Sequence, residues 1–447
     1  MIRRTLHALA TRRAKQFPVV VITGPRQSGK TTLCRMAFPA RPYVSLEAPD
    51  VRAFAAEDPR GFLAQFPRGA VLDEVQRAPQ LLSYIQGIVD ERGRNGLFVL
   101  TGSQHLGLLE AVSQSLAGRC AMLHLLPLGL DELKRFPSAP RDLFTVMFAG
   151  GYPRIHDRRL SPGDWLASYT ATYVERDVRQ VLRVGDLLAF QAFLRACAAR
   201  AGQLLNLSGL AADCGITHHT ARAWLSVLET GFIAFRVPPL HRNLGKRLVK
   251  TPKLHFYDSG LLCYLLGIRS PEQLRLHPLR GAIFESWTVA EILKARLHRG
   301  LPPDLYFYRD HKGVEVDAVI ETGPRPIAVE IKSSQTVTSE FFGPVDFLAG
   351  LMSAAAPAAD IGRVVIFGGD ATQTRGGVRV VAWSDVDRFD WAPEHARSVR
   401  KTRRRASRGA GRARAPAGRR AGGRPRSVAE GPRSHASSPR GTARRRP

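Results

Sequence analysis

Residues 24–31 read Gly-Pro-Arg-Gln-Ser-Gly-Lys-Thr, an order of residue types suited to cradling a phosphate chain. Gly24 and Gly29 permit a tight turn in which successive backbone N–H groups face inward on an anion. The cradle comprises Gly24, Pro25, Arg26, Gln27, Ser28, Gly29, Lys30, Thr31 and Thr32. Lys30 has the reach to meet the outer phosphates, and the Thr31 hydroxyl suits a Mg²⁺ ion. About 40 residues on, Asp73-Glu74 ends a short apolar run. There Asp73 would hold the metal through its water shell, and Glu74 would polarise an attacking water. A further apolar run ends in Thr101-Gly102-Ser103. Thr101 or Ser103 could sense the terminal phosphate, or either could simply cap a helix. Arg119 could stabilise transition-state charge, in its own subunit or in a neighbour's, or could form a structural salt bridge.

A second set of chemical groups lies far downstream. Val314 to Ile320 alternates as a half-buried strand carrying Glu315 and Asp317, and Ile327 to Lys332 is a second strand after a Gly-Pro turn. The period of two puts Glu330 and Lys332 on one face, and a hairpin brings Asp317 alongside. Glu285, on a preceding helix, completes the set. The arrangement E…D…E-x-K resembles the PD-(D/E)xK nuclease superfamily. That resemblance implies Mg²⁺ bound by Glu285, Asp317 and Glu330, with Lys332 as the nuclease lysine; an ordinary charged hairpin is the other reading.

The elements that must position these groups follow from the pattern. Val19 to Ile22 is a β-branched run before the glycine loop, as for a buried parallel strand, and Lys30 to Met36 opens a helix whose positive end faces the anion. Strand-like and helix-like segments alternate to about residue 158, which predicts an α/β phosphate-binding domain. Residues 159–275 read mainly helical. Leu187–Ala201, Leu207–Asp213 and Thr217–Glu229 are three helices before the strand Phe232–Val237, a winged-helix-like order. In a DNA-reading version His218, His219, Thr220, Arg222 and Ala223 would lie near the exposed start of the third helix. Arg242, Lys246, Arg247, Lys250 and Lys253 would then suit phosphates; such modules also serve as plain protein contacts. Residues 276–395 predict an α/β restriction-endonuclease-like domain, and residues 396–447 an arginine-rich tail.

The runs GPRQSGKTTL, VLDEVQRAP, LTGSQ, SLAGR and LLPLGLDEL, followed by RLVKTPKLHFYDSGL, FESW and AVEIKSS, resemble prokaryotic AAA-type ATPases fused to a C-terminal domain of unknown function. The resemblance covers the chain to about residue 335. It implies ATP as the nucleotide and carries over Lys30, Thr31, Asp73 and Glu74 as binding and hydrolytic residues.

Composition bounds the partners. The chain of 447 residues carries a net charge of +28, and residues 397–447 hold 18 Arg and Lys against Glu430 alone. With almost no apolar residue that tail cannot bury a core, so it is expected to be disordered and either to bind polyanions or to act as a solubilising extension. No apolar run reaches the ~18 residues of a membrane span, and the basic start lacks a signal-peptide core. Five cysteines stand singly, which argues against zinc sites or a disulfide framework and suits a reducing compartment. The expectation is a cytoplasmic, ATP- and Mg²⁺-dependent protein. Its partners would be DNA or another nucleic acid, a protein, or further copies of itself.

Overall fold

The strand before the glycine loop, β1 (Val19–Thr23), is buried along its whole length. Val19 and Val21 enter one core while Val20 and Ile22 enter another. That two-sided burial explains why the segment is a continuous β-branched run with no polar alternation. The computed structural model describes residues 1–102, 112, 114–174, 187–240, 249–322, 325–355 and 361–392. Ser103, Arg242, Lys246, Arg247 and the arginine-rich tail lie outside the described residues.

The N-terminal sheet consists of β1, β2 (Tyr43–Ser45), β3 (Ala70–Asp73), β4 (Phe98–Gly102) and β5 (Cys120–His124), in the order β2-β3-β4-β1-β5. Every pairing is parallel. Helix α1 (Leu6–Arg13) and helix α2 (Lys30–Ala37) pack on one face through Leu6, Leu9 and Leu33. Helix α3 (Leu81–Arg92) packs on the other through Leu82, Ile85 and Val89. Because the strands are parallel, the ends of β1, β3 and β4 present the glycine loop, Asp73 and Thr101 at one edge.

The middle segment contains α4 (Leu187–Ala199), α5 (Leu207–Asp213) and α6 (His218–Thr230), then β6 (Ala234–Val237) paired antiparallel with β7 (Lys253–Phe256). Asn206 and Thr217 side chains cap α5 and α6. Trp224 packs edge-on to Phe190 and Phe193, tying α6 to α4.

Beyond it, the long helix α7 (Arg280–Leu297) covers one face of a sheet ordered β12-β13-β11-β10-β9-β8. Its strands are β8 (Leu305–Arg309), β9 (Glu315–Ile320), β10 (Ile327–Lys332), β11 (Gly362–Phe367), β12 (Gln373–Arg375) and β13 (Val378–Ala382). β9 and β10 form the antiparallel hairpin expected from their sequence, with Ala318 opposite Val329. One large core runs from the middle helices through Phe284 and Trp287 of α7 to Val329 and Ile331. Among the described residues, no helix is long and apolar enough to cross a membrane.

Candidate functional site

The loop between β1 and α2 is shaped by two glycines. At Gly24 φ is +155°, and a Cβ there would stand 2.1 Å from the Leu125 carbonyl oxygen. Gly29 has φ +92° and caps α2 without a side chain. Together they bring the start of α2, with its unpaired N–H groups, against the end of β1. Lys30 folds back over the loop, its Nζ donating to the carbonyls of Gly24 (3.1 Å) and Pro25 (2.9 Å). Burial lowers its pKa, while Glu74 and Asp73 nearby oppose that shift. The Ser28 hydroxyl is fully buried and has no hydrogen-bond partner, a polar atom that a phosphate oxygen would satisfy.

Asp73 is the hub of the opposite wall. It accepts from the Thr31 hydroxyl at 2.9 Å and also from the hydroxyls of Tyr43 and Thr101. A threonine hydroxyl beside a carboxylate at a phosphate loop is an oxygen donor set that fits Mg²⁺. Glu74 follows in a left-handed conformation, φ +59°, uncommon for a residue with a side chain. Its N–H meets the Thr101 hydroxyl at 3.4 Å, and its Oε2 accepts from the Gln76 amide. The structure therefore brings Lys30, Thr31, Asp73, Glu74 and Thr101 together. Tyr43 is an addition that spacing could not supply. It lies one strand away on β2, where the parallel register sets Ser45 beside Asp73.

Arg119 is placed elsewhere. It immediately precedes β5, whose first residue, Cys120, pairs with Val19 at the start of β1, while Thr23 pairs with His124. A strand's length, about 16 Å at 3.3 Å per residue, thus separates it from the loop. It makes a two-pronged ion pair with Asp90 of α3, at 2.6 and 2.9 Å. The reading in which Arg119 serves its own subunit's phosphates is corrected by this geometry.

A buried polar joint ties the loop to α7. Arg4 donates to the carbonyls of Ser28 (2.6 Å) and Leu126 (2.7 Å) and pairs with Glu132 at 2.9 Å. Glu132 also accepts from the Thr5 N–H at 2.6 Å. Although burial pushes the Glu132 carboxyl up, Arg4 and His298 draw it down to about 2. His298, just past α7, accepts the Leu126 N–H at 3.3 Å through Nε2, and burial lowers its pKa to about 4.

The downstream acids also converge, but around a lysine. The Lys253 ammonium is 2.7 Å from Glu285, contacts Glu315 and lies 3.7 Å from Asp317. Glu330 pairs with Lys332 at 2.5 Å. Burial and Asp317 push both Glu285 and Glu330 up to about 8. Among the described residues, no group of three or more His, Cys, Asp and Glu side chains has the spacing to hold a metal. The acids as arranged do not fit the metal that their order suggests. Lys253, expected among exposed phosphate contacts, is corrected to a buried residue, 2% exposed. His218, His219 and Arg222 are exposed at the start of α6, and Thr220 is half-buried there.

Comparison with known proteins places these features in order. The AAA domain family matches residues 16–134, a domain of unknown function (DUF8612) matches residues 140–272, and another (DUF4143) matches residues 280–386. Uncharacterized proteins of Mycobacterium bovis (Mb2031c) and Mycobacterium tuberculosis (Rv2008c) are each 32% identical over 340 residues, 75% of this chain and 74% of theirs. Among solved structures, the Walker-type ATPase PABY2304 of Pyrococcus abyssi is 16% identical with a TM-score of 0.38, over 58% of this chain and 94% of that one. AMPPCP-bound DnaA from Aquifex aeolicus is 15% identical with a TM-score of 0.26, over 50% and 86%.

Proposed function

Given that the chain belongs to the same family as these mycobacterial proteins and that its residues 16–134 match the AAA domain, we propose that it hydrolyses ATP and passes its nucleotide state to a nuclease-like, nucleic-acid-binding C-terminal module. The observation that carries the first half is the convergence of Lys30, Thr31, Asp73, Glu74 and Thr101 on one sheet edge. ATP lies with its phosphates in the loop from Gly24 to Thr32. Thr31 and Asp73 would hold Mg²⁺, which would offset the charge developing on the phosphates. Lys30 leaves its carbonyl partners for the outer phosphates. Glu74 takes a proton from water as oxygen attacks the γ-phosphorus and the bond to the β-phosphate oxygen breaks. Thr101, bonded to both Asp73 and the Glu74 backbone, fixes their relative position. Arg119 is left to act on a neighbouring copy or to brace α3.

Transmission to the C-terminal module runs through the buried joint. A movement of Ser28 on phosphate binding pulls on Arg4, whose partner Glu132 faces His298 at the end of α7. The same helix carries Glu285 into the acid cluster. The exposed His218, His219 and Arg222 at the head of α6 supply a nucleic-acid contact. The second reading, an ATP-dependent switch that binds a protein partner, is favoured by one observation, that Lys253 already neutralises the acids. ATP turnover of the full chain with and without DNA tests the proposal, with Lys30→Ala as background. Stimulation by DNA supports the nucleic-acid role, and turnover indifferent to DNA favours the protein partner. No turnover above Lys30→Ala under either condition refutes the ATPase.

A further inference from the structure

Two of the acids whose order suggests a metal centre, together with Glu315, already surround a cation, and that cation belongs to the chain. Lys253 is on β7, in the middle segment, while Glu285 is on α7 and Glu315 and Asp317 are on β9. The lysine is 2% exposed. Its ammonium is 2.7 Å from Glu285, touches Glu315 and is 3.7 Å from Asp317, so its three N–H donors have carboxylates to meet. The Phe307 ring lies on a further side, 5.7 Å from the ammonium to the centroid, and adds a cation–π contact. The far oxygen of Glu285 abuts Gly202, where even a Cβ would stand 3.3 Å away.

A divalent ion bound by these acids would need several oxygens at roughly 2.1 Å for Mg²⁺. The Lys253 ammonium occupies the volume that such an ion would need. Two buried groups near the lysine carry polar atoms that it does not satisfy. Glu330 is 3% exposed, and its Oε2 has no partner beyond the Lys332 pair made by its other oxygen. His255, two residues along β7 from Lys253, is fully buried with both ring nitrogens unpartnered. A polar centre with spare lone pairs and a single tethered charge can take a more highly charged ion once the tether is removed.

We infer that Lys253 is the resident cation of this cluster, a tethered substitute for a divalent metal, and that the acids take no divalent ion while it stands among them. The middle segment, through β7, thereby keeps the C-terminal acids free of metal. The inference rests on the reading of the C-terminal module and not on the ATPase. Its test reads metal occupancy rather than DNA cleavage, so the two fail separately.

The test titrates Mn²⁺ into the nucleotide-free full chain and follows the free ion by electron paramagnetic resonance, with Asp73→Asn throughout to remove binding at the phosphate loop. With Lys253 present, no saturable Mn²⁺ site is expected. Lys253→Met should gain one saturable site per chain, and adding Asp317→Asn should abolish it. If Lys253→Met does not fold, Lys253→Gln, which keeps a hydrogen-bond donor toward the acids, takes its place in the same titration. A saturable site that disappears with Asp317→Asn while Lys253 is intact overturns the inference. So does a folded Lys253 variant that binds no Mn²⁺.

Discussion

Replacing Arg4 with methionine tests the joint between the phosphate loop and α7. The guanidinium is 6% exposed and Glu132 is fully buried, so the substitution leaves a carboxylate inside the protein without its cation. Removing one partner of a buried pair typically costs about 3–5 kcal/mol. The carboxyl's own displacement gives a second figure. Moving from 4.5 to about 2 corresponds to roughly 3 kcal/mol of preference for the charged form, within the same range. The carbonyls of Ser28 and Leu126 lose their donor as well, which places Arg4→Met toward the upper end. Glu132→Met alone strands the guanidinium at a similar cost, whereas the double variant removes both charges and should recover at least ~2 kcal/mol of the summed loss. Urea unfolding followed by tryptophan fluorescence on wild type, both single variants and the double completes the cycle. Because the Ser28 carbonyl is freed, ATP affinity of Arg4→Met should also fall by about tenfold, or ~1.4 kcal/mol. Additivity of the single variants within ~0.5 kcal/mol would refute the claim that these residues act as one joint.

Three further outcomes are expected. The folded pKa of His298 lies below its ordinary 6.5, at about 4, so its stabilising contribution is present above pH 6.5 and is lost as pH falls toward 4. His298→Gln should flatten the stability profile across that window, and an unchanged slope would contradict the neutral, Leu126-bonded ring. Thr101→Val should lower kcat for ATP by about 10- to 100-fold with KM little changed, since the hydroxyl positions Asp73 and Glu74; a rise in KM alone would mean it serves only binding. Arg119→Ala should leave the affinity for a fluorescent ATP analogue unchanged in dilute protein, and lost binding would contradict its placement at the opposite end of β1.

The phosphate loop was legible because its chemistry is local. Glycines, Lys30 and Thr31 act within eight residues, and β1 and β3 announce themselves as apolar runs ending at the reacting groups. The hairpin from Val314 to Lys332 was legible for the same reason, its period of two fixing which side chains meet. What sequence could not show was contact across long separations. Arg4 meets Glu132 across most of the N-terminal domain, and Glu132 meets His298 only once α7 is packed beside it. Tyr43 reaches Asp73 through strand order, which spacing does not encode. In the sequence Lys253 reads as the end of a basic stretch suited to phosphates. One signal was present, the apolar Leu254 and Phe256 alternating with Lys253 and His255, but a two-sided burial was needed to read it. For Arg119 the residue type left several readings open, and the parallel register, which sets it at the other end of the sheet in a pair with Asp90, separates them.

The residues gathered at the ends of β1, β3 and β4 are expected to hydrolyse ATP. The most direct test is a paired measurement on Glu74→Gln, equilibrium ATP·Mg²⁺ binding and steady-state phosphate release. Binding should stay close to wild type while turnover falls by about 10²- to 10⁴-fold. Wild-type protein that releases phosphate no faster than Glu74→Gln, with ATP bound equally by both, would contradict this.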